Sequence, residues 1–327
     1  MNSIATSFTP AWWLPEGHTQ TLWRKFAGSK TVNHRRQRIE LADGDFIDLD
    51  WSADTSQADS DHIVLIVHGL CGCSESSYVL ELQTHLNNMQ IANVAMNLRG
   101  CSGEVNRKAR TYHSGVSDDL LEVVNSLYSE FPDKQIVTVG YSLGANVLLK
   151  YLGEAGSASP LLKAIAVSTP FTLSLCSQSL LSGLSKIYGQ YFTRRLHLAF
   201  SEKMERFSES GNDEELNKLR SLGDIKAINS VWEFDEKVTA PLHGFNSADD
   251  YYKQCSSIGF LNSIATNTLL IQSSDDPMIP PHSLPQPQDL SATTQLELLG
   301  KGGHVGFVNA GKDRWLEKRI TDFILAD

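Results

Sequence analysis

The sequence predicts an α/β fold, in which a mostly parallel central sheet is flanked by helices. Six short apolar runs recur along the chain, and stretches with helical periodicity lie between the early ones. A run that is apolar on both faces is typical of a buried parallel strand, and strands that alternate with helices form a sheet covered on both sides. A chain of 327 residues that is 41% hydrophobic is long enough to bury such a core.

The strand-like runs are HIVLIVH at 62–68, ANVAMNL at 92–98, QIVTVG at 135–140, AIAVS at 164–168, TLLIQS at 268–273 and QLELL at 295–299. Amphipathic helices are predicted over 75–89 and 118–131, where apolar residues recur on one helical face. Near the start, two further runs at 36–41 and 46–51 flank the turn sequence ADGD. This pattern predicts a hairpin that adds an antiparallel pair at the sheet edge.

The alternation stops after Pro170. Residues 171–235 have helical character without a convincing strand, so we predict a helical cap there and a core domain formed by 1–170 and 236–327. Most apolar residues of the cap are expected to pack it onto the core, and one or two of them to line a pocket. The residues concerned are Leu180, Leu181, Leu184, Ile187, Tyr188, Tyr191 and Phe192.

Charge and cysteine content exclude several classes of protein. The 28 Lys+Arg and 38 Asp+Glu residues give a net charge of −10, which disfavours nucleic acid and anionic membrane surfaces as partners. The short basic run at 34–38 is interpreted as a solvated strand edge. Five cysteines, an odd number, indicate reduced thiols, and Cys71-Gly72-Cys73 lacks the second ligand pair of a zinc site, so no metal is predicted.

No targeting or membrane segment is recognised. Residues 1–8 have neither the basic nor the apolar region of a secretory signal, and no run approaches the ~20 apolar residues of a transmembrane helix. We therefore expect a soluble, cytoplasmic protein that does not insert into membranes.

A candidate nucleophile lies in the sequence GYSLG at 140–144, between the strand at 135–140 and an apolar helix. A serine on a sharp turn from strand to helix needs glycine on both sides, because its backbone is strained and the helix passes close to the strand. The helix N-terminus also favours negative charge nearby. The pattern predicts Ser142 as the nucleophile.

A serine hydroxyl is a weak nucleophile until a base accepts its proton, and that base is predicted to be His304. The sequence KGGHVGF at 301–307 follows the last strand directly, and its glycines let a loop carry the imidazole over the sheet edge. The other histidines considered are predicted to shape a loop or to be structural: His68, His18, His113 and His243.

A carboxylate that orients the histidine is expected at the end of the penultimate strand, where Asp275 and Asp276 are adjacent. Asp276 precedes Pro280 by four residues, the spacing usual for the acid of this kind of site. We therefore assign the role to Asp276. Whether the neighbouring Asp275 shares this role is left open.

An oxyanion hole requires two backbone N–H groups, each worth about 3 kcal/mol to the transition state. One is predicted from Leu143, the residue after the nucleophile, and the other from Leu70, in the turn HGLCG that follows the strand at 62–68. The chain order Ser142, Asp276, His304 is that of the α/β-hydrolase fold and differs from the orders in chymotrypsin and subtilisin.

Four further segments carry a more specific resemblance: PEGHTQT at 15–21, NLRGCSG at 97–103, YHSG at 112–115 and FDEKVTAP at 234–241. With these segments the chain resembles, over nearly its whole length, the bacterial YheT-type α/β-hydrolases, which are related to eukaryotic abhydrolase-domain esterases and to yeast medium-chain ester synthases. The resemblance implies carboxylic-ester hydrolysis by Ser142, Asp276 and His304. The eukaryotic relatives carry an amino-terminal membrane anchor, whereas this chain starts almost at the segment 15–21.

These observations predict a serine carboxylesterase, active on small-molecule esters with short to medium acyl chains and requiring no cofactor. Two alternatives remain. An acyltransferase would use the same residues but resolve the acyl-enzyme with an alcohol, and a non-catalytic protein would keep the fold for binding.

Overall fold

In the computed structural model, residues 8–26, 30–55, 60–311 and 314–326 are described. Their strands form one eight-stranded sheet in the order β1-β2-β4-β3-β5-β6-β7-β8. The strands are β1 (His34–Glu40), β2 (Phe46–Ser52), β3 (His62–Val67), β4 (Ala92–Asn97), β5 (Gln135–Tyr141), β6 (Lys163–Val167), β7 (Asn267–Ser273) and β8 (Thr294–Leu299). The segment 1–7, which contains most of the amino-terminal stretch searched for a targeting signal, lies outside the described residues.

All six predicted strands and the predicted hairpin are present. Strands β3 to β8 pair in parallel, whereas β1 pairs with β2, and β2 with β4, in antiparallel register. Strand β1 contains the basic run, and Arg36 and Arg38 form ion pairs with Asp50 and Asp48 of β2. The basic residues therefore stabilise an edge strand, as expected of that run.

The helices are α1 (Gly17–Phe26), α2 (Ser77–Asn88), α3 (Ser117–Glu130), α4 (Leu143–Ala155), α5 (Leu173–Ser179), α6 (Lys186–Ser210), α7 (Asp213–Arg220), α8 (Val231–Phe234), α9 (Ala240–Leu242), α10 (Ala248–Cys255) and α11 (Trp315–Leu325). Helices α3 and α4 pack on one face of the sheet, and α2 and α11 pack on the other. Because both faces of the sheet are covered, the central strands are mostly apolar on both sides, which explains their sequence pattern.

A long helical insertion separates β6 from β7 and contains α5 to α10. Residue 235, the predicted end of the cap, lies inside a helical run in which a π-helix (Asp235–Thr239) joins α8 to α9, and the division into cap and core stays a prediction. The expectation that most of the apolar cluster packs onto the core is wrong for three members, which are exposed by 46% for Leu181, 65% for Leu184 and 63% for Ile187. Two others, Tyr191 and Phe192, line the cleft that contains Ser142, in keeping with the expectation that one or two of these residues line a pocket.

Within the described ranges, no helix combines the length and the apolar character needed to cross a bilayer.

Candidate active site

Ser142 lies on the turn between β5 and α4, as the sequence predicts. Its φ of 51° is unusual for a residue with a side chain, a strain worth about 1–3 kcal/mol that is often found at functional sites. The turn is held by a hydrogen bond from the Ser142 N–H to the Val167 carbonyl (2.9 Å). A Cβ at Gly140 would come within 2.6 Å of Ala145 Cα, so α4 can pass this close to the strand only beside glycine.

His304 connects Ser142 to Asp276 through two hydrogen bonds. The imidazole Nε2 lies 2.8 Å from Ser142 Oγ, and Nδ1 lies 2.8 Å from Asp276 Oδ2. Because the buried carboxylate accepts the proton on Nδ1, Nε2 is left free to accept the serine proton. The other carboxylate oxygen, Asp276 Oδ1, accepts N–H bonds from Met278 (2.9 Å) and Ile279 (3.2 Å), which fix its orientation.

The neighbouring Asp275 makes a different set of contacts. Its Oδ1 accepts the Gly303 N–H at 2.9 Å, and its Oδ2 lies 3.8 Å from Lys301 Nζ. Asp275 therefore holds the loop that carries His304, whereas the carboxylate bonded to the imidazole is Asp276.

The predicted oxyanion donors come from two elements that meet beside Ser142. Leu143 is the first residue of α4, so its N–H has no carbonyl one turn earlier within the helix. Leu70 lies in the oxyanion loop, residues 68–73, whose backbone comes so close that a Cβ at Gly69 would be 3.0 Å from Ser142 Cβ. Leu70 also lines the cleft that contains Ser142, and the role of both amides as oxyanion donors stays a prediction.

Two tyrosine hydroxyls that the sequence did not single out hold the oxyanion loop on either side of Leu70. Tyr78 Oη accepts the Gly69 N–H, and Tyr112 Oη accepts the Cys71 N–H, both at 2.9 Å. Burial raises the pKa of Tyr78 to about 12, so its hydroxyl stays neutral. Tyr112 belongs to one of the segments of the family resemblance, which is the signal that could have drawn attention to it.

His68 shapes this loop from beneath, as predicted. Its Nε2 accepts the Leu98 N–H (3.1 Å), so the ring proton is on Nδ1 and is donated to the Gly69 carbonyl (2.8 Å). Burial lowers the pKa of His68 to about 4, which keeps the ring neutral.

The remaining histidines make contacts away from Ser142. His18 Nδ1 lies 3.0 Å from Tyr188 Oη, and the rings of His113 and His243 contact each other in a tilted arrangement, with centroids 4.5 Å apart and an angle of 56° between the ring planes. Their structural role stays a prediction. Among the described residues, no three His, Cys, Asp or Glu side chains are grouped so as to hold a metal ion, and all five cysteines are free.

Two concave regions meet at the oxyanion loop. The insertion cavity, about 330 Å³, lies between the core and the insertion and is lined by Leu70, Leu143, Leu196, Ala199, Phe200 and Val231, among others. The serine cleft, about 280 Å³, contains Ser142 and His304 and is bordered by Thr21, Ser76, Tyr78 and Phe192. Leu70, Cys71 and Gly72 of the oxyanion loop line both regions.

The sheet order, the serine on its strand–helix turn and the Ser142–His304–Asp276 hydrogen bonds define the class of protein. A family model described as the α/β hydrolase fold matches residues 62–310, and the chain belongs to that family. Within it, the chain is a YheT-like α/β-hydrolase, as the resemblance of its sequence segments predicted.

Similarity extends over almost the whole chain. It is 36% identical to the candidate esterase YheT of Escherichia coli over 98% of this chain and 94% of that protein. It is 31% identical to the human phospholipase ABHD3 over 99% of this chain and 80% of that protein. Among solved structures, the Pyrococcus furiosus esterase Pf2001 is similar in fold, with a TM-score of 0.57, 15% identity and coverage of 91% and 93% of the two chains.

Proposed function

We propose that this protein is a serine carboxylesterase that hydrolyses esters with short to medium acyl chains. The observation that carries the proposal is the continuous set of hydrogen bonds from Ser142 Oγ through His304 to Asp276, with both contacts at 2.8 Å. The relationship to a candidate esterase and a phospholipase supports the same chemistry, because both names refer to hydrolysis of esters.

In the proposed reaction, Ser142 Oγ attacks the ester carbonyl carbon while His304 Nε2 accepts the hydroxyl proton. The carbonyl oxygen becomes an oxyanion that accepts hydrogen bonds from the Leu70 and Leu143 amides. The C–O bond to the alcohol then breaks, and His304 returns the proton to the departing oxygen. A water molecule, deprotonated by the same histidine, then attacks the acyl carbon. The bond from that carbon to Ser142 Oγ breaks, His304 returns the proton to Ser142 Oγ, and the carboxylic acid is released.

We assign the acyl chain to the insertion cavity and the alcohol to the serine cleft. The cavity contains both proposed oxyanion donors and offers the apolar side chains of Leu196, Phe200 and Val231. A buried apolar surface favours a hydrocarbon chain by about 0.8 kcal/mol per methylene. The cleft is lined by the polar residues Arg24, Ser76 and Ser77, which suit a more polar leaving group.

Hydrolysis of a series of p-nitrophenyl esters from acetate to palmitate tests this assignment. The wild type is compared with Ala199→Phe, a variant designed to reduce the space for the acyl chain. Ala199 of α6 lines the insertion cavity, so a phenyl group there shortens the space for the chain. We expect the wild-type kcat/KM to peak at one chain length and the variant to peak at a shorter one. Each excluded methylene should lower kcat/KM for the longer esters about fourfold.

Leu198→Phe is the matched control. Leu198 is adjacent on α6 and exposed like Ala199, but it does not line the insertion cavity, so the same aromatic ring should leave the chain-length profile unchanged. An equal shift in both variants, or none in Ala199→Phe, would contradict the placement of the acyl chain.

A half-buried acid that lines the same cavity, Asp235, gives a prediction on stability. Burial raises the pKa of Asp235 to about 6, although hydrogen bonds from Tyr252 Oη (2.7 Å) and Thr239 Oγ1 (2.7 Å) oppose the rise. Folding therefore favours the protonated form, and this contribution to stability, complete below about pH 4, is lost as the pH rises through 6. Between pH 5 and 7.5 the loss should be about 1 kcal/mol of unfolding free energy.

Asp235→Asn removes the titration, so its unfolding free energy, measured by urea denaturation at both pH values, should fall less than that of the wild type. Asp249→Asn, an exposed change nearby on α10, should follow the wild type. Identical pH dependence in all three proteins would show that ionisation of Asp235 does not lower the unfolding free energy.

A further inference from the structure

The segment GHTQT at the start of α1 lies directly against the loop that carries His304. We define the histidine loop as residues 300–308. Thr21 Oγ1 of α1 accepts the backbone N–H of His304 at 2.9 Å and donates its own proton to the Gly17 carbonyl at 2.7 Å. The hydroxyl is thus oriented with its lone pair toward the histidine.

Gln20 bonds to the same loop a few residues further on. Its side-chain amide is fully buried and pairs with both backbone groups of Val308, accepting the N–H at 2.6 Å and donating to the carbonyl at 3.0 Å. A second bond, from Gln20 Nε2 to the Leu14 carbonyl at 2.8 Å, connects the amide to the chain before α1. Gln20 thus holds Val308 together with Ala11, whose backbone N–H also donates to the Val308 carbonyl at 2.9 Å.

The histidine loop needs such external support because its backbone is strained. Val305 and Phe307 have φ values of 56° and 45°, in a region that residues with large side chains rarely adopt. Such conformations persist only where the surroundings determine them. At Gly303 an added Cβ would overlap the Gly17 carbonyl oxygen, so the loop and α1 are in direct contact.

Three consecutive amides of the loop are held by side chains from three different elements. The Gly303 N–H bonds to Asp275 after β7, the His304 N–H to Thr21 of α1, and the Val305 N–H to Ser168 after β6, each at 2.9 Å. Of these three hydrogen bonds, the one made by α1 is the bond to the backbone of His304 itself.

From this arrangement we propose that Thr21, supported by Gln20, is a positioning residue that sets the place of the His304 imidazole between Ser142 and Asp276. The proposal rests on the proposed function, in which His304 is the base. A displacement of about 1 Å between reacting groups lowers rates about 100-fold, and both imidazole contacts are only 2.8 Å long.

Helix α1 has an anchor of its own, so that Thr21 can be changed without detaching the helix. Arg24, one turn further on, is buried and forms ion pairs with Glu81 of α2 and Glu317 of α11. A loss of reactivity in a folded Thr21 variant then reflects a change in the histidine loop and not the detachment of α1.

The test uses Thr21→Val, which keeps the shape but loses the hydroxyl, and Thr21→Ser, which keeps the hydroxyl. We expect Thr21→Val to lower kcat and the rate of fluorophosphonate labelling of Ser142 by about 10- to 100-fold with little change in KM. Thr21→Ser should remain within about threefold of the wild type. Thr19→Val, which loses an exposed hydroxyl bonded to the Glu16 carbonyl just before α1, is the matched control and should be unchanged.

Each outcome decides the question. Wild-type reactivity in Thr21→Val, or an equal loss in Thr21→Ser and Thr19→Val, would overturn the positioning role and leave the proposed function intact. A wild-type protein whose Ser142 is not labelled at all would overturn both. If the valine variant does not fold, Thr21→Ala takes its place in the same comparison.

Discussion

Ser142→Ala should lower kcat for ester hydrolysis by about 10⁵- to 10⁶-fold, the largest effect of any single change considered. The substitution removes the only atom that forms a bond to the acyl group in the proposed reaction, and its partner His304 is left without a proton to accept. The residual rate would come from the oxyanion donors and from binding alone. Hydrolysis of the p-nitrophenyl ester that the wild type prefers measures the effect.

The control is Ser182→Ala, at an exposed position of the insertion, which should retain full activity. Thermal unfolding of both variants verifies that the fold is kept. Equal hydrolysis by wild type and Ser142→Ala would mean that another group performs the reaction. A folded wild type that neither hydrolyses any ester of the series nor reacts with a fluorophosphonate would favour a binding protein of hydrolase fold.

Asp276→Asn should lower kcat about 10⁴-fold, whereas Asp275→Asn should lower it less than about tenfold. An amide at position 276 donates where the carboxylate accepted, so the imidazole turns its other tautomer toward Ser142 and Nε2 no longer accepts a proton. At position 275 an asparagine oxygen still accepts the Gly303 N–H.

Steady-state kinetics of the two variants on one ester makes the comparison. The adjacent carboxylates differ by a single chain position, so each serves as the control for the other. Similar losses in both would mean that the two carboxylates share the role. A larger loss in Asp275→Asn would reverse the assignment.

Much of the fold could be predicted because parallel strands buried on both faces leave a local signature. The six apolar runs lie within one or two residues of β3 to β8, and the ADGD turn separates β1 from β2. The packing of the apolar cluster of the insertion was misjudged because the signal used there was also local. Periodicity shows that a helix has an apolar side, but only packing decides what covers that side, and Leu184 and Ile187 are left exposed.

The residues of the site were predicted to a similar extent. Ser142, Asp276 and His304 each follow a strand within a short segment whose glycine or proline spacing is characteristic, and the structure brings them together. The support around them was not predicted. Tyr78 and Tyr112 hold the oxyanion loop through hydroxyl groups that have no signature of their own in the sequence.

The sequence by itself determined the strands, the helix after Ser142, the serine and the histidine, and it placed the acid within a pair of adjacent aspartates, because these follow from patterns within ten residues of chain. Only the tertiary structure decided which aspartate faces the imidazole and what holds the histidine loop. Thr21 and His304 are 283 residues apart, and their hydrogen bond exists because α1 is packed against the carboxyl ends of the strands. Local patterns arise from backbone geometry and side-chain periodicity, whereas contacts of such separation are set by the packing of the whole chain.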